Sequence, residues 1–380
     1  MCCSPPSGPP SRAGGRRGTR EYAFQGSYGL DAFSLVFKVI FGITALFVHS
    51  MATVWLKRVD RGHGEFHLLS LFATMGMFFA ASAEDFASLF VSLELVTVSF
   101  YCLTAFKRND PRSVESAVKY VILGALASAF LLLGIAFIYG ATGSLFLRDL
   151  TTASQQDLAD SSTALLQFGI LLTIVGLGFK IAAVPFQVWT PDVYEGASSP
   201  VTAFLSMGSK AAGFVLLLKV GRACLGPGAD SGLALATPWL LLIALMAAAT
   251  ILYGNLGAMW QGNLKRLLGY SSIGHAGYLL MGLFAFSEAG FTAILYYLMA
   301  YLFTVLGLFG VIVVVNGVVR NHEVESYSGL GRRSPSSPSS SLAASSHWRG
   351  YRPWRGSTGS SSSSAQWSRR GRALATPSPS

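Results

Sequence analysis

Nine long apolar runs constrain the fold of this chain more than any other feature of its sequence. A transmembrane α-helix needs about 20 consecutive, largely apolar residues. The approximate limits of the nine runs are 31–56, 66–83, 87–106, 116–139, 163–190, 199–222, 237–260, 267–286 and 290–318. The composition agrees, since 52% of the residues are hydrophobic and only 12% are charged. The sequence therefore predicts an all-α, polytopic membrane protein with roughly nine transmembrane helices.

The net charge of +10 is concentrated at the two ends of the chain. Residues 1–20 hold four arginines and no acid, and residues 326–380 hold eight arginines and no acid. Between these ends lie 16 basic and 18 acidic residues. The apolar part is therefore close to neutral, which removes the argument for a nucleic-acid partner and leaves the lipid bilayer as the medium around it.

Basic residues recur in every second loop between the apolar runs. The loops after the first, third and seventh runs carry Lys57, Lys107 and Lys265, each next to an arginine, whereas alternate loops carry acids such as Glu84 and Asp85. Cytoplasmic loops of membrane proteins are enriched in Lys and Arg. On nine spans, this pattern predicts an N-terminus outside the cytoplasm and a C-terminal tail inside it.

Ionisable residues inside the apolar runs mark the candidate site. Glu94 lies in one run, and Lys180 and Lys210 lie in two later, consecutive runs. A lysine at bilayer depth costs roughly 2.5–3.5 kcal/mol, so it usually faces a polar interior. Glu94 is either half of a structural ion pair or a proton-transfer group, and we favour the second interpretation. The sequence leaves open whether its partner is Lys180 or Lys210.

Lys119 and His275 each have a functional and a structural interpretation. Lys119 is a possible relay, or it reaches the membrane surface from near the start of its helix. His275 is a possible relay or a packing residue. Asp192 and Glu195, in the turn PDVYEG, are predicted to be capping or loop groups at the membrane surface.

The chemistry that fits these residues is proton transfer. Pro185 removes one backbone donor, so it predicts a broken helix next to Lys180. The sequence contains no P-loop, no dinucleotide-binding glycine motif and no metal-ligating spacing of its four cysteines. We therefore expect no metal and no cofactor on this chain.

Six segments of the chain match a known family. They are SLFVSLELVTVSFYCL, SVESAVKYVILGALASAFLLLGIAFIYGATGS, the segment from Gly176 to Gly213, GNLKRLLGYSSIGHAGYLLMG, AILYYLMAYLFTVLGLFGV and SYSGLGRRSP. Over about residues 28–335 the chain resembles the subunit N family of bacterial proton-pumping NADH–quinone oxidoreductase, or complex I, which corresponds to mitochondrial NADH dehydrogenase subunit 2. The family has an antiporter-like helical bundle with inverted repeats, each containing a broken helix.

The resemblance implies a role for each buried charge. Glu94 and Lys180 form the glutamate–lysine pair of a first half-channel, Lys210 is the connecting lysine, and His275 lies on a central polar axis. One position departs from the family, because this chain has PFQVW where the family often has PFHVW. Gln187 therefore replaces a histidine, and a titrating role is lost there.

The resemblance also implies function and partners. The chain is expected to be a subunit of an enzyme, NADH:quinone oxidoreductase, that couples proton translocation to quinone reduction in the bacterial inner membrane. Its partners are other complex I membrane subunits, and NADH, FMN, Fe–S clusters and quinone belong to partner subunits or to the complex.

Two other functions are weighed against this one. A multisubunit cation/proton antiporter usually has LPxAH after its PFHxW element, whereas this chain has TPDVYEG. A structural membrane scaffold has no physical need for the pattern GFK…PFQVWTPDVYEG.

Both ends of the chain depart from the family. Residues 1–27 are predicted to be disordered or misassigned, residues 28–325 to form the transmembrane domain, and residues 326–380 to form a low-complexity Ser/Arg tail. A shifted codon frame permits Trp348–Ser361 to read AGVPPLAGFxGKF, a form found in later helices of the family. We therefore expect the tail to be a frame-shift product, the chain to lack helices at both ends, and the chain as given not to be a competent proton pump.

Overall fold

A computed structural model describes residues 21–59, 62–155, 160–225, 233–285, 287–319 and 321–327. Within these residues a short antiparallel hairpin, β1 (Glu21–Ala23) and β2 (Tyr28–Leu30), precedes twelve α-helices. The helices are α1 (Ala32–Leu56), α2 (His63–Ser82), α3 (Phe86–Thr104), α4 (Pro111–Thr142), α5 (Leu147–Gln155), α6 (Asp160–Ile181), α7 (Trp189–Gly196), α8 (Ser199–Phe204), α9 (Lys210–Leu225), α10 (Leu233–Met259), α11 (Leu264–Phe284) and α12 (Glu288–Val319). A π-helical turn, Leu205–Ser209, joins α8 to α9, and a 3-10 turn, Val324–Tyr327, follows α12.

Side-chain caps fix where several of the long helices begin. The backbone N–H of Ser34 donates to the Asp31 carboxylate at 2.7 Å, and the Asp31 N–H donates back to the Ser34 hydroxyl at 3.0 Å. Asp85 caps α3 in the same way, accepting from the Ser88 N–H at 2.7 Å. Asn263 accepts from the first N–H groups of α11. Each cap satisfies backbone donors that the first helical turn leaves free.

The predicted all-α membrane architecture is confirmed. Among the described residues, eight helical stretches are long and apolar enough to cross a membrane, counting α8 to α9 as one. The other seven are α1, α2, α3, α4, α6, α10 and α12. The remaining predicted span, 267–286, is also helical as α11. It is less apolar than the other eight because its sequence, LLGYSSIGHAGYLLMGLF after Arg266, contains glycines, serines, tyrosines and His275.

The predicted apolar run 163–190 forms two helices rather than one. Helix α6 ends at Ile181, and Ala182 takes a positive φ of 60°, which breaks the helical path. Pro185 cannot donate a backbone hydrogen bond, and the chain becomes helical again only at Trp189, in α7. The helix interruption predicted from Pro185 is therefore present, and it starts directly after Lys180.

The stretch from α8 to α9 lies at the centre of the bundle. In its most apolar 18 residues, 100% of the residues are buried, compared with 33% in the corresponding part of α4 and 28% in that of α10. Helix α4 packs on α6 and α10 packs on α11. Helices α4 and α6 approach each other closely at Gly134 and Gly169. A Cβ added at Gly134 would lie only 2.7 Å from the carbonyl oxygen of Gly169. Lysines near the start of α9 and the end of α6 are thus placed in the protein interior.

The predicted ends of the chain are only partly described. Residues 21–27 of the segment predicted to be disordered form β1 and a 3-10 turn, Phe24–Gly26. Residues 1–20 lie outside the described residues, as does the Ser/Arg tail from residue 328 onward. The frame-shift interpretation of the tail stays a prediction.

Candidate functional site

Glu94 lies half-buried on α3, where it faces α4. Its carboxylate accepts a short hydrogen bond from the Ser128 hydroxyl at 2.5 Å. Among the described residues, no cation lies within the 4.0 Å of Glu94 that defines an ion pair. A hydroxyl donor therefore holds this carboxylate in place, and the carboxylate is not locked to a lysine.

Lys180 is the lysine next to Glu94. It lies in the last turn of α6, its side chain is 2% exposed, and its ammonium group donates to the Thr97 hydroxyl at 2.5 Å. Thr97 follows Glu94 by one helical turn on α3, and the charges of Glu94 and Lys180 interact electrostatically. Of the two partners that the sequence left open, the structure brings Lys180 close to Glu94.

Lys210 occupies a separate polar site. It begins α9 directly after the π-helical turn, its side chain is 3% exposed, and its ammonium group donates to both the carbonyl oxygen and the hydroxyl of Ser272 on α11. Single π-helical turns are rare and occur mainly at functional positions. The geometry directs Lys210 toward α11 rather than toward Glu94.

His275 follows Ser272 by about one turn of α11 and extends this polar site toward α12. Its Nδ1 lies 2.5 Å from the Tyr297 hydroxyl, and its ring centroid lies 4.8 Å from that of Tyr301. The Tyr301 hydroxyl in turn lies 3.1 Å from the hydroxyl of Ser206 in the π-helical turn. Side chains that can donate and accept protons therefore run from Lys210 to His275 and beyond.

Lys119 lies at the edge of the bundle. Its side chain is 45% exposed, and its ammonium group contacts Glu115 at 2.8 Å and Asp192 at 2.9 Å. This geometry fits the interpretation that Lys119 reaches the membrane surface. A relay role for Lys119 stays a prediction.

Asp192 and Glu195 are not caps, contrary to the sequence-based expectation. Both lie within α7, where Arg266 of α11 contacts Asp192 at 2.9 Å and Glu195 at 3.1 Å. Together with Lys119 they surround an open cavity of about 270 Å³. The lining residues are Arg112, Glu115, Ser116, Lys119, Asp192, Glu195, Gly196 and Arg266. These long-range ion pairs hold α7 between α4 and α11.

Lys265 is a buried cation that the sequence reasoning missed. It was placed in a cytoplasmic loop, but it lies in the first turn of α11 and its side chain is only 2% exposed. Its ammonium group donates to the carbonyl oxygens of Glu195, at 2.8 Å, and of Ala197. A cation at the C-terminal end of a helix complements the helix dipole. Asn263, two residues before Lys265, is a strong N-cap residue. It was the signal that the helix begins at Leu264 rather than at residue 267.

Gln187 lies in the break between α6 and α7, at the position where the family often has histidine. It is buried, and its side-chain amide oxygen, Oε1, has no hydrogen-bond partner in the described part of the chain. Nearby, the Trp189 indole N–H donates to the carbonyl oxygen of Phe179 at 3.0 Å. That bond ties the start of α7 to the residue before Lys180.

Comparisons with known proteins identify the family of this chain. A family model described as NADH:quinone oxidoreductase/Mrp antiporter, transmembrane, matches residues 83–343. NADH-quinone oxidoreductase subunit N of Desulforamulus reducens is 39% identical over 335 residues, which cover 88% of this chain and 68% of that protein. The range matched by the family model includes Glu94, Lys180, Lys210 and Lys265.

Solved structures show the same relationship. A chain of respiratory complex I from Thermus thermophilus is similar at 36% identity with a TM-score of 0.65, over 83% of this chain and 64% of that one. A chain of the Mrp complex from Dietzia sp. shares the fold, at 24% identity with a TM-score of 0.63. The present chain thus spans about two thirds of the length of its complex I relatives.

Proposed function

The chain belongs to the NADH:quinone oxidoreductase/Mrp antiporter transmembrane family, and from this premise we propose that it is a subunit N of NADH–quinone oxidoreductase. Its task in that enzyme is to move protons through the bacterial inner membrane while partner subunits reduce quinone. Other membrane subunits of the complex are its partners. NADH, FMN, Fe–S clusters and quinone belong to those partners or to the complex, and no redox step occurs on this chain.

One observation carries the proposal. Lys180 and Lys210 are both buried, and both donate to neutral hydroxyl or carbonyl oxygens. A buried ammonium group without a carboxylate in contact is costly to keep charged, so such a group exchanges its proton more readily than a surface lysine. Lys219, by contrast, is stabilised by a direct ion pair with Glu84 at 3.0 Å, and Lys180 and Lys210 border hydroxyl-rich sites instead.

The residues divide the proton path into two sites. Glu94 and Lys180 hold and release a proton in the first, where Ser128 and Thr97 supply the hydrogen bonds. Lys210 and His275 do so in the second, and tyrosine and serine hydroxyls lie between and around them. Proton transfer along such groups needs only hydrogen-bond reach, directly or through one water molecule.

A cation/proton antiporter subunit is the second candidate from within the family. It would share the buried lysines and the fold, as the Mrp similarity shows for the fold alone. The identity to the Thermus complex I chain, 36%, is higher than the 24% to the Mrp chain. We therefore place the NADH–quinone oxidoreductase reading first. A structural scaffold ranks last, because it has no need for buried lysines in polar sites.

Complementation tests the proposal directly. The full chain is expressed in a bacterial strain whose own subunit N gene is deleted, and NADH-driven acidification of inverted membrane vesicles is measured with a pH-sensitive dye. The proposal predicts that the chain restores NADH-driven proton movement above the level of the empty vector, which would overturn the sequence-based expectation that the chain as given does not pump. A Lys57→Arg variant, changed only at an exposed lysine near the end of α1, is the matched control.

Two results would decide against the proposal. If the chain is inserted and assembled but NADH drives no acidification, it is not a proton-translocating subunit N. If acidification instead requires an imposed sodium gradient and proceeds without NADH, the antiporter reading replaces it.

A further inference from the structure

A buried tyrosine of α7 contacts the residue that holds Lys210. The side chain of Tyr194 is fully buried, and its hydroxyl lies 3.0 Å from the hydroxyl of Ser272 on α11. The Lys210 ammonium group donates to that same Ser272 hydroxyl and to the Ser272 carbonyl oxygen. Direct hydrogen-bond contacts therefore join Tyr194 to Lys210 through one serine, which is itself buried.

The packing of α7 fixes Tyr194 in this position. The Thr202 hydroxyl of α8 donates to the Tyr194 carbonyl oxygen at 3.3 Å. Helix α7 also lies close to α11 at Gly269, where an added Cβ would come within 3.2 Å of the Pro191 Cα and 3.5 Å of the Tyr194 Cβ. Gly269 precedes Ser272 by about one helical turn. Because the ring is buried at this close contact, its hydroxyl stays within reach of Ser272.

Two further titratable side chains face this contact. His275 of α11 is an electrostatic neighbour of Lys210, and Tyr301 of α12 is an electrostatic neighbour of Tyr194. The Tyr301 hydroxyl lies 3.1 Å from the Ser206 hydroxyl, and Nδ1 of His275 lies 2.5 Å from a tyrosine hydroxyl of α12. Both groups thus have hydrogen-bond partners outside the contact.

The hydrogen bonds of Ser272 depend on the charge of Lys210. A hydroxyl has one proton to donate and two lone pairs that accept. When Lys210 is charged, it donates to the Ser272 oxygen, so the Ser272 proton is free to bond to the Tyr194 oxygen. When Lys210 is neutral, its amine lone pair accepts the Ser272 proton, and the Ser272 oxygen accepts from Tyr194 instead. A phenol completes both arrangements because it donates and accepts.

We propose that Tyr194 is a positioning residue for Lys210, which orients the Ser272 hydroxyl for each charge state of the lysine. The inference rests on the proposed function and deepens its second proton site. Only hydroxyl rotation is involved, so no bond to hydrogen forms or breaks at Tyr194. Without the phenol oxygen, the charged state leaves the Ser272 proton without this acceptor, whereas the neutral state leaves only a lone pair unused. Since a buried unpaired donor is the costlier of the two, the charged state is disfavoured.

The pH profile of pumping tests this role. The assembled complex containing the full chain is placed in inverted membrane vesicles, and NADH-driven acidification is measured from acidic to alkaline buffer. Lys210 has to take up a proton in each cycle, so Tyr194→Phe should move the alkaline limb of the profile to lower pH by about one unit. The rate at the acidic end should stay parental. Tyr139→Phe, at a 52% exposed tyrosine of α4, is the matched control and should keep the parental profile.

A double substitution tests whether Tyr194 acts through Ser272. Ser272→Ala removes the hydroxyl that links the two side chains, while Lys210 keeps the main-chain carbonyl oxygen at residue 272 as an acceptor. In this background Tyr194→Phe should add no further shift, because substitutions that break one shared contact are not additive. A further shift of full size overturns the inference. A loss of rate that is equal at every pH also overturns it, since packing alone would explain that result.

A fluorinated tyrosine covers the case in which Tyr194→Phe fails to assemble. Monofluorotyrosine at position 194 keeps the ring and the hydroxyl but is a poorer acceptor and a better donor, so the alkaline limb should again move to lower pH. An unmoved limb, in this variant or in assembled Tyr194→Phe, overturns the inference alone. Absence of pumping by the parent at every pH contradicts the proposed function, and the inference falls with it.

Discussion

At the scale of single residues, this protein is defined by buried lysines that contact neutral oxygens. Lys180 donates to a threonine hydroxyl, Lys210 to a serine, and Lys265 to two main-chain carbonyl groups. These partners are dipoles, so each lysine keeps hydrogen bonds while its charge is less strongly held than by a carboxylate. The three lysines nevertheless differ in role, because Lys265 binds the end of a helix whereas the other two border hydroxyl-rich sites.

Replacing Lys210 by arginine tests whether its proton has to leave. Arginine keeps the positive charge but is not deprotonated in proteins, so it cannot pass a proton on. We predict that Lys210→Arg assembles and pumps at least about tenfold more slowly, measured as NADH-driven acidification. Lys57→Arg is the control. Parental pumping by Lys210→Arg would make Lys210 a structural residue.

Replacing Lys265 by methionine tests the helix-end contact. Methionine fills a similar volume but leaves the carbonyl oxygens of Glu195 and Ala197 without their donor. We predict a loss of stability on the order of 2 kcal/mol, measured as a lower thermal unfolding midpoint of the detergent-purified chain. Lys107→Met, at a 37% exposed side chain, should change the midpoint little. An unchanged midpoint for Lys265→Met would show that the contact adds no net stability.

At the scale of elements, α7 is the part whose position depends most on contacts distant in sequence. It has only eight residues, too few for a helix to be stable alone. Lys265 binds its C-terminal carbonyl groups, and Asp192 on it joins Lys119 of α4 to Arg266 of α11. Since the Trp189 indole at its start donates to the carbonyl oxygen of Phe179, the residue before Lys180, the position of α7 also affects the end of α6.

Removing the Asp192 charge should loosen α7. Asp192→Asn keeps the shape of the side chain but leaves two cations close together without the shared carboxylate. We predict a severalfold faster hydrogen–deuterium exchange of the peptide 189–196, measured by mass spectrometry. Glu65→Gln, which removes an exposed carboxylate paired with Arg108, is the control and should leave that peptide unchanged. Equal exchange in both variants would mean that the ion pairs do not hold α7.

The segment 321–327 gives a pH-dependent test outside the spans. It docks on the start of α11 through a backbone bond from Leu264 to His322 at 2.7 Å and one from Val324 to Gly262 at 2.9 Å. Burial, with the positive charges of Lys265 and Lys107, lowers the pKa of His322 from 6.5 to about 4.

The sign of the pH effect follows from this shift. Above about pH 6.5 His322 is neutral whether docked or released, so docking has its full strength there. As the pH falls toward 4 only the released segment takes up a proton, and docking weakens. We predict faster exchange of residues 321–327 at pH 5 than at pH 7, beyond the intrinsic pH effect. His322→Gln should abolish the excess and the exposed-site control His63→Gln should keep it; an excess that survives His322→Gln would contradict the assignment.

Much of the fold followed from the sequence, and the failures share one cause. Length and hydropathy predicted the spans, because a bilayer sets both. Pro185 predicted the interruption within the run 163–190, but local hydropathy could not place the end of α6 at Ile181. Lys265 was read as a loop charge because its partners, the carbonyl groups at the end of α7, lie about 70 residues away. Likewise, only the tertiary contact between Lys180 and Thr97 identified Lys180, rather than Lys210, as the lysine near Glu94.

At the scale of the whole molecule, apolar side chains cover the outside of the helical bundle and the charged side chains of Lys180 and Lys210 lie inside it. Peripheral helices such as α4 and α10 expose many large apolar side chains, while the most apolar 18 residues of the central stretch from α8 to α9 are all buried. Both proton sites adjoin that centre, one at the broken end of α6 and one at the π-helical turn. Protein groups and internal water are the only hydrogen-bond partners available there. An interior of this kind fits proton translocation.

The Glu94→Gln variant tests the central claim, that protons pass through this buried polar interior. Glutamine keeps the shape of the side chain and its contact with Ser128 but cannot take up a proton. In assembled complex in inverted vesicles, we predict that NADH-driven acidification falls at least about tenfold, while the Glu65→Gln control pumps like the parent. Acidification by assembled Glu94→Gln at the parental rate would contradict the account.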